Sequence, residues 1–279
     1  MKKNVCLLIL LTSFLGYTFA QNKLILKAKY KPETAYNQTI EQSSKTEVLY
    51  SGSEDFLNKL KDKGIVNPTI LIQQSKIDAI LKTEKMVNDT LFPLTIEFIN
   101  STSSDGKKAI PDGTIIYGHS SVKSMPTLDS MVSKNMDESI RKASLQLMQT
   151  MFSQIPFPDD KMVQIGDSFS VETPLLLPLS GMTVAMGITT YYKLLSIING
   201  IGNFDIVQVY KMTSASQGFD LTASGSGKGQ MFYDIQNEFY TKYKVDMEIL
   251  MSMKNQTFAF NIKTNSSIIQ TIGISKNTK

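Results

Sequence analysis

Phe239-Tyr240-Thr241-Lys242-Tyr243-Lys244-Val245-Asp246-Met247-Glu248-Ile249-Leu250-Met251-Ser252-Met253-Lys254 decides the fold. Its odd positions carry Phe, Thr, Tyr, Val, Met, Ile, Met and Met, and lysines, acids and a serine fill most of the even ones. Alternation at period two gives a strand one buried and one wet face, and no helix can use such a pattern. The run before it, Gly218 to Tyr233, sets Phe219, Leu221 and Ala223, then Gly225, Gly227 and Gly229, then Met231 and Tyr233 on one face. Asp234-Ile235-Gln236-Asn237 breaks the pattern with turn-forming residues. The two runs form a long hairpin, and a large one-sided sheet follows from it.

Further strands surround this hairpin. Thr183–Ile198, Phe204–Met212 and Thr257–Ile274 alternate in the same way, and Asn199-Gly200-Ile201-Gly202-Asn203 makes a short turn between the first two. Short connections make neighbours antiparallel, because parallel pairing needs a long crossover. Upstream, Leu24–Tyr30, Ala35–Gln42, Thr69–Gln74, Ile77–Val87, Phe92–Asn100 and Thr114–His119 read as strands. Ser53 followed by Glu54-Asp55 and closed by Lys59, Lys61 and Gly64 carries the caps of a short helix. Met136, Ile140, Ala143, Leu147, Met148, Met151 and Phe152 recur at three and four and predict an amphipathic helix within 129–154, starting at about Asp129 or Asp137 and ending at Gln154. Ile155-Pro156-Phe157-Pro158 stops it, and Pro174–Gly181 reads as an apolar loop. The expected fold is mainly β: a large curved antiparallel sheet or half-barrel with this helix on its concave face, because a one-sided sheet needs a cover. The expected layout is a signal peptide over 1–20, then one β-rich domain over 21–279. Within it, N-terminal strands occupy 21–125, the helix 129–154 and the long-stranded sheet 161–275.

Lys2-Lys3, the apolar stretch Val5–Ala20 and the small residue before Gln21 form a secretory signal peptide, with cleavage expected after Ala20. The stretch is shorter than the roughly 20 residues of a spanning helix. The single cysteine, Cys6, lies inside it, so the mature chain has no disulfide and no thiolate chemistry. Export without disulfides fits a bacterial envelope, in the periplasm or outside the cell. Removing two of the 29 basic residues leaves 27 against 25 acidic, a formal charge of +2, with no like-charged block. That balance argues against nucleic acid or an anionic membrane surface as partner, and no transmembrane segment is expected in the mature chain.

The chemistry-bearing motifs are weak. Gly225-Ser226-Gly227-Lys228-Gly229 lacks the spacing of a phosphate loop and lies within a strand pattern. His119, the only histidine, would have to serve any triad with Ser120 or Ser121, yet no Gly-x-Ser-x-Gly elbow is present. Zinc lacks its preferred ligands and calcium its run of aspartates, so neither metal nor cofactor is expected. Methionine is the one unusual signal: Met148, Met151, Met182, Met186, Met212, Met231, Met247, Met251 and Met253 all fall on the helix or the C-terminal strands. Flexible, polarisable methionine suits a lining for variable apolar guests, and it equally suits a filled core.

Tyr30-Lys31-Pro32-Glu33 between strands, the central helix, Phe157-Pro158, Ile165-Gly166-Asp167-Ser168-Phe169 and the Gly225-x-Gly227-x-Gly229 run before Tyr233-Asp234 together resemble an uncharacterised family of exported, often lipid-anchored bacterial β-sheet proteins. The chain departs from the anchored members in having no lipobox cysteine. The layout also looks like the lipoprotein-carrier folds of the bacterial envelope, in which a curved sheet holds an apolar cavity closed by helices. The first functional reading is a non-enzymatic envelope protein that holds a lipid or other hydrophobic ligand between the helix and the methionine-rich face, with Leu147, Met151, Met186, Met247 and Met251 touching it. A second reading is a structural or interaction component of the envelope with a filled core, binding another envelope protein through its polar face or a sheet edge. A third is a hydrolase on scattered carboxylates or His119.

Overall fold

The alternating runs become thirteen strands among the described residues: β1 Lys23–Leu26, β2 Thr34–Gly52, β3 Thr69–Thr83, β4 Leu91–Ser103, β5 Ile115–Ser121, β6 Ser124–Val132, β7 Lys161–Gln164, β8 Ser168–Leu179, β9 Met182–Ile198, β10 Ile201–Ala215, β11 Asp220–Asp234, β12 Phe239–Lys254 and β13 Phe258–Lys276. Two helices join them, α1 Glu54–Asp62 and α2 Glu138–Ser153. This computed structural model describes residues 22–277 apart from 28, 109, 122–123, 135, 154–159, 180–181, 216–219 and 255–256, with backbone alone at 151–153, 175–179, 182–184 and 213–215. The predicted signal peptide therefore lies outside the described residues.

Eleven strands make one antiparallel sheet in the order β6-β5-β4-β3-β2-β13-β12-β11-β10-β9-β8, and β1 pairs with β7 in a separate ribbon. The sheet is two meanders joined by the pairing of β2 with β13, which runs in unbroken register from Thr34↔Lys276 to Gly52↔Phe258. It is open, with β6 and β8 as its end strands. The connection from β6 to β8, carrying α2 and β7, passes from one end of the sheet to the other.

One face of this sheet carries the cores. Tyr36, Leu81, Phe92, Leu94, Ile96 and Ile116 pack in the first meander, with Leu145 and Met148 of α2 against them. Leu24, Leu26 and Val163 of the β1–β7 ribbon cover Leu194, Phe204, Ile206, Met231 and Tyr233 of the second. The residues between β1 and β2 tie the two: the Tyr30 ring lies 5.0 Å from Tyr36 and 5.1 Å from Phe239. Burying that many aliphatic and aromatic side chains contributes roughly 1.5–3 kcal/mol each against the chain entropy of long strands.

Four boundaries differ from expectation, each for a physical reason. Residues 124–132 form β6, which rules out the helix start near Asp129, and the helix begins at Glu138; Leu128 and Met131 are three apart, and a bulge at Asp129, between the pairs Tyr117↔Ser130 and Gly118↔Leu128, turns both into the first core. Pro174 and Pro178 do not open a loop, because β8 is an end strand where a missing N–H costs nothing on the free side. The strand expected over 35–42 runs on to Gly52 as one 19-residue strand, since paired neighbours on both sides carry β2 through its polar middle. Finally, Tyr240 pairs with Tyr233 and Lys242 with Phe232, so a bulge at Thr241 turns Tyr240 to the same face as Tyr243.

Candidate functional site

The methionine residues were the sequence's candidates, and the structure places them in two regions. Met186 of β9 and Met251 of β12 are buried with Tyr210, Leu221 and Ala223 in a third cluster; Met247 of β12 is half-buried between this cluster and the second core. Register explains the gathering: Met186 pairs with Met212, and Gly227 lies between Gln208 and Met247 on adjacent strands. Leu147 is elsewhere. It is 62% exposed, on a helix whose Leu145 and Met148 pack on the first core. Met151 belongs to α2 by its backbone, and its side chain lies outside the described residues.

Helix α2 is therefore not a roof joining Leu147 to the methionine face. Its orientation comes from a polar contact the hydrophobic periodicity does not register. The Gln149 Oε1 accepts from the Leu128 N–H at 2.6 Å, and its Nε2 donates to the Pro126 carbonyl at 3.3 Å. The amide thus completes the outer ladder of β6. That contact turns Arg141, Leu145, Met148 and Gln149 inward and leaves Ile140 and Leu147 exposed.

Beside the methionines lies a buried polar network. Gln208 donates through Nε2 to Thr190 Oγ1 at 3.1 Å and to Tyr243 Oη at 3.2 Å, while Tyr210 donates to Gln208 Oε1 at 2.6 Å. The Tyr210 hydroxyl also approaches Met247 Sδ at 3.5 Å. Burial pushes the Tyr210 phenol up to about 12 and raises that of Tyr243 as well, so both stay neutral, Tyr210 donating to Gln208 and Tyr243 accepting from it. Gln208 leans over Gly227, where an added Cβ would meet its Oε1 at 3.1 Å. Neighbouring side chains thus fill the space over Gly227. At Gly225 a Cβ would stand 2.5 Å from the Glu248 carbonyl oxygen, so the glycines also let adjacent strands approach where the sheet bends.

His119 and Ser120 cannot act together, because adjacent strand residues face opposite ways. His119 Nδ1 sits 3.0 Å from Asp129 Oδ2 on the exposed side, and Ser120 is buried with its hydroxyl on the Ser124 carbonyl.

A different feature emerges at the strand edges. The β6 edge is closed by Pro126 and Gln149, and β8 carries two prolines. Strand β3 is protected on only part of its length. It pairs with β2 from Thr69 to Lys82, but with β4 only from Ser75 to Thr83. At Gln74 the missing partner is replaced by Ser104, whose N–H donates to the Gln74 carbonyl at 2.8 Å and whose Oγ accepts from the Gln74 N–H at 3.0 Å. In an antiparallel strand both backbone groups of every second residue point to one side. Those of Ile72 and Ile70 therefore point to the same open side as those of Gln74. Among the described residues nothing hydrogen-bonds to them there. Ile70, Leu71 and Ile72 are 51%, 52% and 66% exposed. Sequence reading identified Thr69–Gln74 as a strand and had no signal for its missing neighbour, which depends on where β4 ends.

No family model matches the chain, and no curated protein matches it by sequence. Among solved structures it is similar to an outer membrane channel from Pseudomonas putida F1, at 6% identity over 88% of this chain and 98% of that one, with a TM-score of 0.20. No helix among the described residues is long and apolar enough to cross a membrane.

Proposed function

We propose that this is an exported, non-enzymatic interaction protein of the cell envelope that accepts an extended polypeptide strand on the open edge of β3, Thr69–Gln73. The unpaired backbone of Ile70 and Ile72 carries this reading, since a bare ladder between exposed aliphatic side chains matches an added strand better than any small molecule. The filled interior supports it: the Gln208 network closes on its own donors and acceptors beside Met186. Export rests on Lys2-Lys3 and Val5–Ala20.

Selection from a displayed library of extended decapeptides tests the edge. Bound peptides should protect the Ile70 and Ile72 amides from hydrogen exchange, and Ile72→Pro should abolish their binding. Peptides that bind Ile72→Pro equally well, or a library that yields none, would end this reading.

A second reading, a hydrophobic guest on the methionine-rich face, has one observation in its favour. Met186, Met247 and Met251 come together, and Met212, Ile249, Met253 and Ile262 around them are only partly buried. Native mass spectrometry of the mature protein from a Gram-negative periplasm would show a discrete lipid adduct, lowered by Met247→Asp. An unchanged adduct in that variant would place the lipid elsewhere.

A further inference from the structure

Resting on the strand-accepting reading, we infer that the strand received by β3 is the same segment of a second copy, so that two sheets join edge to edge about a twofold axis at Leu71. The open window has definite ends. Pro68 has no N–H to offer, and Gln74 is already bonded by Ser104, so pairing is confined to Thr69-Ile70-Leu71-Ile72-Gln73. Those five residues are centred on Leu71. An antiparallel match of the window with itself pairs Ile70 with Ile72 of the second copy, and Ile72 with Ile70. Both are outward-pointing residues, so the backbone groups exchange four hydrogen bonds. On one face Leu71 then meets Leu71 of the second copy, and on the other the isoleucines stand opposite each other.

Charge permits this pairing. The window is uncharged, so no like charges meet across the axis. Its neighbours on β2 are complementary: Ile72 lies beside Lys45 and Ile70 beside Glu47. In the joined sheet each row would run Lys45, Ile72, then Ile70 and Glu47 of the second copy, so each row ends in opposite charges. The devices that keep edges from self-pairing are a proline, a capping side chain or an inward charge. The first two stand on β6, prolines stand on β8, and none stands within Thr69–Gln73. A five-residue contact lies below the usual size of a permanent interface, so the dimer is a weak, concentration-dependent one.

Sedimentation of the mature chain from low to high micromolar concentration would show a reversible dimer. Ile72→Pro, which removes an outward N–H while keeping extended backbone, should weaken it at least about tenfold. The cysteine-free mature chain offers a second measurement. Leu71 would be a non-hydrogen-bonded pair with Cα atoms about 4.5 Å apart, within disulfide reach. Leu71→Cys should therefore give a covalent dimer on mild oxidation. Gln73→Cys, on the same face, should not, because the axis sets position 73 against position 69. If Ile72→Pro fails to fold by circular dichroism, the cysteine pair decides alone. A dimer indifferent to Ile72→Pro, or Gln73→Cys crosslinking as readily as Leu71→Cys, would overturn the self-pairing. A monomer at all concentrations would overturn it too. A monomer that still selects Ile72-dependent peptides would leave the strand-accepting reading standing, and one that selects none would remove both.

Discussion

Gln208 shows how one polar residue is held inside a β core. Its amide serves Thr190, Tyr210 and Tyr243 at once, and no polar side-chain atom buried among the described residues lacks a partner. Gln208→Ala would leave the Tyr210 hydroxyl and Thr190 without their partner and open space above Gly227. Chemical denaturation should register a loss of about 2–4 kcal/mol, because unsatisfied buried groups and a cavity add. Glu238 is the other informative residue. It holds a left-handed φ of 55°, uncommon for a residue with a Cβ, at the start of β12. Lys27 reaches it at 2.9 Å and Lys31 at 3.3 Å. The hydrogen bond from Lys27, with Lys31 beside it, holds the Glu238 carboxyl below the usual carboxylate range. A depressed folded-state pKa means this contribution is present above the unfolded carboxylate pKa and is lost as pH falls through the folded one. Glu238→Gln should therefore lower stability at neutral pH and flatten the decline on acidification, as thermal melts across that range would show; a parallel acid slope would remove the pair from the pH response. Both partners are partly exposed, so salt should weaken the effect.

At the scale of elements, caps and edges govern more than hydrophobic periodicity does. Ser53 accepts the Phe56 N–H at 3.3 Å, and Lys59 bonds Asp55 at 2.7 Å within α1, as its start and stop residues indicate. Phe56 stacks on Phe258 with ring centroids 5.3 Å apart, which anchors this short helix to β13. For α2 the decisive residue is Gln149, which carries no signal in a hydrophobic pattern. Gln149→Ala should free the Leu128 N–H and loosen the helix on β6, at a cost of about 1–3 kcal/mol. Hydrogen exchange should speed at Leu128 and along α2, while β9–β12 stays unchanged. Uniform acceleration over the whole chain would show that the helix does not depend on this contact.

For the whole molecule, the seam between β2 and β13 makes one sheet from two meanders. Ile272 is buried there, opposite Gln38 and in the core with Tyr36. Ile272→Ala should cost about 2–5 kcal/mol and weaken the coupling between the meanders. Unfolding followed by two site-specific labels, one on β5 and one on β10, should give coincident transitions in the native protein and separated ones in the variant. Coincident transitions in both would mean that the β1–β7 ribbon and Tyr30 suffice to couple the halves.

The sequence by itself determined most of the strands, their antiparallel hairpins and their inner faces where no bulge intervenes, because alternation and turn residues act over a few neighbours. Phe204, Leu221, Met231, Val245 and Met251 all face inward as their positions indicate. Where the local signal was ambiguous, tertiary contacts settled it. Residues 124–132 became a strand whose bulge at Asp129 lets both Leu128 and Met131 face the core, and Pro174 and Pro178 stayed in a strand because it lies at an end of the sheet. Only the tertiary structure decided that β2 pairs with β13 across more than two hundred residues, that Gln149 sets which side of α2 is covered, and that β4 stops short of Ile72. Each of these depends on which backbone groups remain unpaired once distant strands have docked, and that is a property of the assembled sheet.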